Sequence, residues 1–325
     1  MNGEILAVYT IINDTELETF LAKYDFGQLL HYGGITEGVE NSNYLLLTQT
    51  GRYILTIYEK RVRRSDLPFF LNLLRHLSSR GIACPVPVKD RNGAVLNEIS
   101  GKAAVILGFL PGTAVDHPEP DQCRNLGEIL AKMHLAGEGF SRERPNDLSV
   151  ANWNVLLERV EARADEVKPG LAKDLNSEIE DLTKYWPINL PKGIIHADLF
   201  PDNVFFERNV VSGVIDFYFA CLDFFAYDLA ICLNAWCFEP DGAFNSTKAR
   251  LMLSAYRKVR PFSQAEVDAL PMLCRGAAVR FLLTRLFDWL NLPDGALVRP
   301  KDPLEYFHKL GFHRQVKGSG EYGLG

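Results

Sequence analysis

Hydrophobic positions change their period along the chain, and that change divides it. Asn13 or Asp14 can cap a first helix, and Leu17, Phe20 and Leu21 fall on one of its faces, predicting a helix to about Tyr24. Shorter apolar runs follow, cut by glycine. Residues 29–32 lead into Gly33, Gly34 and Gly38, then come residues 43–48, a turn at Thr50-Gly51, and residues 53–58. This predicts strands separated by tight turns. Residues 67–79 read as a helix ended by Gly81, Asn92-Gly93 as a hairpin turn, and the apolar run 102–109 as a buried central strand. Leu110-Pro111-Gly112 then breaks the pattern.

Beyond that break the period becomes helical. Leu126, Ile129, Leu130 and Met133 share a face, with His134 beside them as a packing or surface residue. Leu156, Leu157 and Val160 repeat the pattern after Trp153, and Pro187 and Pro191 stop the helices. Ser263 and Glu266 have capping-box spacing, and residues 276–289 form an apolar helix carrying Arg280 and Arg285. Arg285 can pair with Asp288, three positions on. Together these elements predict an α+β fold. A β-rich N-terminal lobe covers residues 1–109, a mainly helical C-terminal lobe residues 110–316, and a loose Gly-rich tail residues 317–325.

Composition narrows the class. With 325 residues, 47% of them hydrophobic, the chain can bury a sizeable core. The net charge of −6 and a single short basic run, residues 60–64, give no footprint for nucleic acid. Six cysteines without a paired spacing read as buried thiols in a reducing cytoplasm. No apolar stretch is long enough to span a membrane, so the expected partners are small molecules.

The chemistry concentrates in residues 193–217, where Ile194 and Ile195 precede a polar loop. His196, Asp198 and Asn203 have the spacing His-x-Asp-x-x-x-x-Asn, and Asp216 stands thirteen residues after Asn203. A strand at 204–206, a turn at 209–213 and a strand at 214–215 would fold Asp216 back beside the loop. That is the arrangement of a kinase catalytic loop and its metal-binding acid. Phosphoryl transfer depends on positioning and charge neutralisation. Asp198 would accept the proton of the acceptor hydroxyl, Asn203 and Asp216 would offer oxygen to Mg²⁺, and His196 would orient the loop.

Other positions follow from order along the chain. Gly33, Gly34 and Gly38 are placed to cover nucleotide phosphates, and the backbone at Leu107, Phe109 and Leu110 to meet the adenine ring. The lysine that kinases carry on the third strand is missing: its slot is Thr56, and the helix after it holds no acid. Lys60 or Arg61 could supply the charge instead. Asp228 reads as a helix N-cap, and Asp223 as a paired acid in an apolar region.

These segments, with residues 34–47, 53–61, 196–204, 214–237 and 278–289, resemble the aminoglycoside-phosphotransferase and choline-kinase-like branch of the protein-kinase fold. The likeness covers residues 8–315, and within the branch the chain is most similar to bacterial homoserine kinases. The resemblance implies a bilobal fold, ATP and Mg²⁺ as cofactors, and phosphorylation of L-homoserine to O-phospho-L-homoserine for threonine synthesis. Thr56 is itself similar to that subgroup. An amino-acid substrate calls for a cation and an acid: Arg280 is the candidate cation, Asp202 and Asp223 the candidate acids. Two alternatives stay open at this point. One is a kinase of the same fold for another small alcohol such as choline or an aminoglycoside. The other is a nucleotide-binding pseudokinase, for which the missing strand lysine speaks.

Overall fold

The computed structural model describes residues 10–35, 41–59, 62–292 and 300–324. Gly38, Lys60 and Arg61, named above, lie outside the described residues. The described residues to Pro111 form one compact unit and those from Gly112 onward a second.

The first unit opens with helix α1 (Asp14–Leu21). Asn13 caps it, accepting from the Glu16 N–H at 2.9 Å while the Glu16 carboxylate takes the Asn13 N–H, so the helix start satisfies its own donors. It ends three residues before Tyr24. Strands β1 (Leu29–Ile35), β2 (Asn41–Thr48) and β3 (Gly51–Tyr58) follow, then helix α2 (Leu67–Ser78), β4 (Leu96–Ile99) and β5 (Lys102–Gly108). The five strands make one antiparallel sheet in the order β1-β2-β3-β5-β4. One face carries Tyr44, Leu46, Leu55, Ile57, Ala104 and Ile106, packed against Phe20 of α1. Alternation therefore turns Asn43, Leu45, Ile54, Thr56, Val105 and Leu107 to the other face. Asn92-Gly93 forms a turn but no hairpin. The Asp90 carboxylate accepts from the N–H groups of Asn92 and Ala94, an Asx turn that ends before β4 begins.

The second unit contains α3 (Pro120–Ala136), α4 (Trp153–Glu158), α5 (Glu161–Val167), α6 (Leu171–Tyr185), β6 (Lys192–Ile195), β7 (Val204–Glu207), β8 (Val210–Val214), β9 (Cys221–Phe224), α7 (Phe225–Trp236), α8 (Ser246–Val259), α9 (Gln264–Leu290) and α10 (Pro303–His313). β6 pairs with β9, and β7 with β8, both antiparallel. The β7–β8 turn is tighter than expected. Arg208 and Asn209 alone make it, with φ 48° and 65°, and Gly213 lies inside the strand. α7 is apolar nearly all round and forms the centre of the unit. α3 and α8 approach so closely that a Cβ at Gly127 would sit 2.1 Å from the Met252 carbonyl oxygen.

Two further expectations are corrected here. Arg285 does not turn to Asp288 along its own helix; it reaches Glu305 on α10 at 2.5 Å. The Gly-rich end is tied down, since Tyr322 is fully buried and its hydroxyl meets His313 Nδ1 at 2.8 Å. An aromatic side chain buried against Phe244 outweighs the local freedom of the surrounding glycines. Among the described residues no helix is long and apolar enough to cross a membrane, and all six cysteines are free and buried.

Candidate active site

The polar loop leaves the end of β6 with its backbone held by one carboxylate. Asp228, fully buried on the first turn of α7, accepts from the His196 N–H at 2.8 Å through one oxygen and from the Ala197 N–H at 2.8 Å through the other. A third donor, His134 Nε2 on α3, lies 3.0 Å away. Burial alone would raise the Asp228 carboxyl. The hydrogen bonds from His134 and from the His196 N–H hold it below the usual carboxylate range. Burial pushes the His134 imidazole down, so it stands neutral, donating to Asp228 and accepting at Nδ1 from the Tyr256 hydroxyl at 2.7 Å. Asp228 is thus an anchor and not the N-cap expected from its sequence position. The residue before the helix is Phe224, which has no capping side chain.

His196 ties the loop to the strand that carries Asp216. Its ring is buried and its pKa pushed down by desolvation. The neutral ring donates from Nε2 to the Ile215 carbonyl at 2.9 Å and accepts at Nδ1 from the Asp198 N–H at 3.3 Å. The Asn203 carbonyl accepts from the Ile215 N–H at 3.0 Å, so both peptide groups of Ile215 are held by the loop. Asp216 follows directly, with φ 62°, a left-handed backbone that turns its side chain out of the strand line. The Asn203 amide nitrogen donates to the Asp198 carbonyl at 2.8 Å. That orientation leaves the amide oxygen as the end available to a cation. Trp236, fully buried, donates from its indole to the Leu199 carbonyl at 2.8 Å and so supports the same loop.

The structure therefore ties His196, Asp198 and Asn203 into one hydrogen-bonded loop and fastens that loop to Ile215, directly before Asp216. Among the described residues no group of three or more His, Cys, Asp or Glu side chains could hold a metal by itself. The carboxylate of Asp216 and the amide oxygen of Asn203 are a hard, sparse set. It matches a cation that takes most of its shell from water and phosphate.

The remaining candidates are placed as follows. Arg280 on α9 is 1% exposed and its guanidinium is turned to the Ala197 carbonyl and Asp198. Asp202 is exposed and sits 3.4 Å from Lys301. Asp223 accepts from Asn146 at 2.7 Å and from its neighbour's N–H, and burial raises its carboxyl. In the first unit, Thr56 is buried and its hydroxyl donates to Asn43 at 2.8 Å, a neutral pair where kinases place a lysine. An ion pair does occur nearby, Lys102 with Glu59, but by alternation it lies on the sheet face that packs α1. Gly33 and Gly34 pair with Leu45 and Tyr44 in the ladder. Leu107 is buried in β5, while Phe109 and Leu110 follow the strand's end, Phe109 beneath the Arg52 guanidinium at 4.0 Å.

Residues 31–262 match the profile of the phosphotransferase enzyme family. The chain is 60% identical over 319 residues to a homoserine kinase of Rhodospirillum rubrum, spanning 98% of this chain and 99% of the relative. It is 58% identical over the same length to a homoserine kinase of Xanthobacter autotrophicus, with the same coverage. Among solved structures, an amicoumacin kinase in complex with AMP-PNP and Ca²⁺ superposes with TM-score 0.68 at 16% identity, covering 95% of each chain. A choline kinase from Cryptosporidium parvum superposes with TM-score 0.68 at 14% identity, covering 93% of this chain and 95% of its own. These two likenesses give the protein-kinase-like fold.

Proposed function

The chain belongs to the phosphotransferase enzyme family, and from that premise we propose that it transfers the γ-phosphoryl group of ATP to the hydroxyl of L-homoserine, giving O-phospho-L-homoserine and ADP. The observation that carries the substrate is the identity of 56–60% to homoserine kinases across 98% of the chain. The loop geometry supports the chemistry. Asp198 is the base that takes the hydroxyl proton as the oxygen attacks phosphorus. The carboxylate of Asp228 and the ring of His196 hold the loop so that this base has one direction. Asn203 and Asp216 would hold Mg²⁺, which when bound neutralises phosphate charge.

In the first unit, Gly33 fits close approach of phosphate. An added Cβ there would meet nothing nearer than 3.9 Å, so neither packing nor backbone angle demands a glycine. Thr56 and Asn43 form a neutral pair where a lysine is usual, so the first unit offers no charge at that position. For the substrate's ammonium we favour Asp223, whose carboxyl is raised by burial and is stabilised as an anion by an arriving cation. Asp202 already meets Lys301. Six buried free thiols suit a reducing compartment, and we place the reaction in the cytoplasm.

A coupled ADP-release assay with Mg·ATP against L-homoserine, L-serine, L-threonine, choline and kanamycin tests the reading. Release with homoserine well above the substrate-free rate is expected. Release with choline or kanamycin alone would keep the fold and discard the substrate. Nucleotide binding without any release would turn the reading toward a pseudokinase.

A further inference from the structure

Arg280, the candidate substrate cation, is buried and turned to the polar loop. It sits on α9 among Ala277, Val279, Phe281 and Leu283, all buried, and is itself 1% exposed. A guanidinium so placed is costly to desolvate, and its Nε–H has no hydrogen-bond partner among the described residues. Packing alone would favour an apolar side chain here. The charge is therefore explained by what the other two nitrogens reach. Nη1 donates to the Ala197 carbonyl, and Nη2 lies 3.8 Å from Asp198 Oδ1. The guanidinium is boxed by the Phe281 ring at 4.3 Å and the Phe219 ring at 5.4 Å, which fix its plane.

What it grips is a strained turn. Ala197 has φ 63°, a left-handed conformation that an alanine avoids without support. Its N–H is held by Asp228 at 2.8 Å and its carbonyl by Arg280, so the peptide groups on both sides are fixed from opposite directions. Relaxation of Ala197 to an ordinary backbone would break both bonds and swing Asp198 away. We propose that Arg280 is a positioning residue: with Asp228 it clamps Ala197 and so aims the Asp198 carboxylate, and it is not the cation that binds the substrate. This rests on the reading of Asp198 as the base. Arg280 is buried, and its guanidinium is turned to the loop at Ala197 and Asp198.

The test compares Arg280→Gln and Arg280→Lys with the wild-type enzyme, and adds Ala197→Gly to the Gln variant. For Arg280→Gln, kcat should fall on the order of 10–100-fold, as misplacement of a reacting group does, while KM for homoserine stays within about threefold. Lysine reaches only one of the two acceptors, so Arg280→Lys should fall between. Glycine takes a left-handed backbone freely, so Ala197→Gly in the Gln variant should recover part of kcat. Hydrogen exchange at residues 194–203 should quicken in Arg280→Lys and Arg280→Gln while that of α7 is unchanged. A rise of about tenfold or more in homoserine KM with kcat retained would make Arg280 a substrate ligand and overturn the proposal. So would unchanged exchange in the loop. If Arg280→Gln does not fold, the lysine variant carries the same comparison. If the wild type does not phosphorylate homoserine, the substrate reading fails on its own, and the exchange measurement, which needs no turnover, still judges the clamp.

Discussion

At the scale of single residues, the site separates into groups that react and groups that hold them. Asp198 and Asp216 differ in this way despite being the same side chain. Asp198→Asn keeps shape and removes the proposed base, so kcat should drop about 10²–10⁴-fold while nucleotide affinity is preserved. Asp216→Ala removes the proposed oxygen ligand of Mg²⁺, so Mg·ATP affinity should fall while the metal-free nucleotide binds much as before. Titrating each variant with ATP, with and without Mg²⁺, separates the two roles. Near-full activity in Asp198→Asn would remove it from the role of base. The residue hardest to read in advance was Asp228. An acid in the run 225–236 had to be hydrogen-bonded, and that much was legible. Its partners are His134 from α3 and two N–H groups of the loop, 94, 32 and 31 positions away, which no local pattern encodes.

At the scale of elements, the loop is only as fixed as the helices behind Asp228. His134 on α3 and Tyr256 on α8 complete the chain of hydrogen bonds that ends on that carboxylate. Their spacing depends on Gly127, where any Cβ would overlap the backbone of Met252. Gly127→Ala should therefore cost about 1–3 kcal/mol through forced separation of α3 and α8. A denaturant midpoint lowered together with kcat is the expected outcome. An unchanged midpoint would mean that the helices yield freely at this contact. The element boundaries taken from periodicity stand close to the observed ones for α2, β3 and β5. They fail at the Asn92-Gly93 and Arg208-Asn209 turns, where side-chain bonds and positive φ angles, not composition, decide where a strand begins.

At the scale of the whole molecule, several imidazoles are buried neutral, and this gives stability a direction with pH. Burial, with the charge of Lys309, pushes His313 from its ordinary 6.5 to about 3. A histidine depressed in the folded state binds more protons when unfolded, so its contribution is present above pH 6.5 and lost as pH falls toward about 3. His134 and His196 act in the same sense, while Asp223, raised by burial, opposes them. Between pH 7.5 and pH 5, His313 alone should remove about 2 kcal/mol from the unfolding free energy. Guanidinium titrations at the two pH values, repeated on His313→Gln, measure it. The difference should shrink by about that amount in the variant, and an undiminished difference would assign the effect elsewhere.

The kinase-like order of the elements and the spacing of His196, Asp198, Asn203 and Asp216 are legible in the sequence alone. Each is a local property: a period of two or 3.6, a breaking Pro-Gly, a fixed spacing across a hairpin. The tertiary structure decided which side chains support that site. Asp228 and Trp236 reach the loop across long separations, His134 holds Asp228 in turn, and the guanidinium of Arg280 is turned to a carbonyl of the same loop. A buried charge settles where desolvated partners meet it best, and those partners are assembled only when distant segments pack.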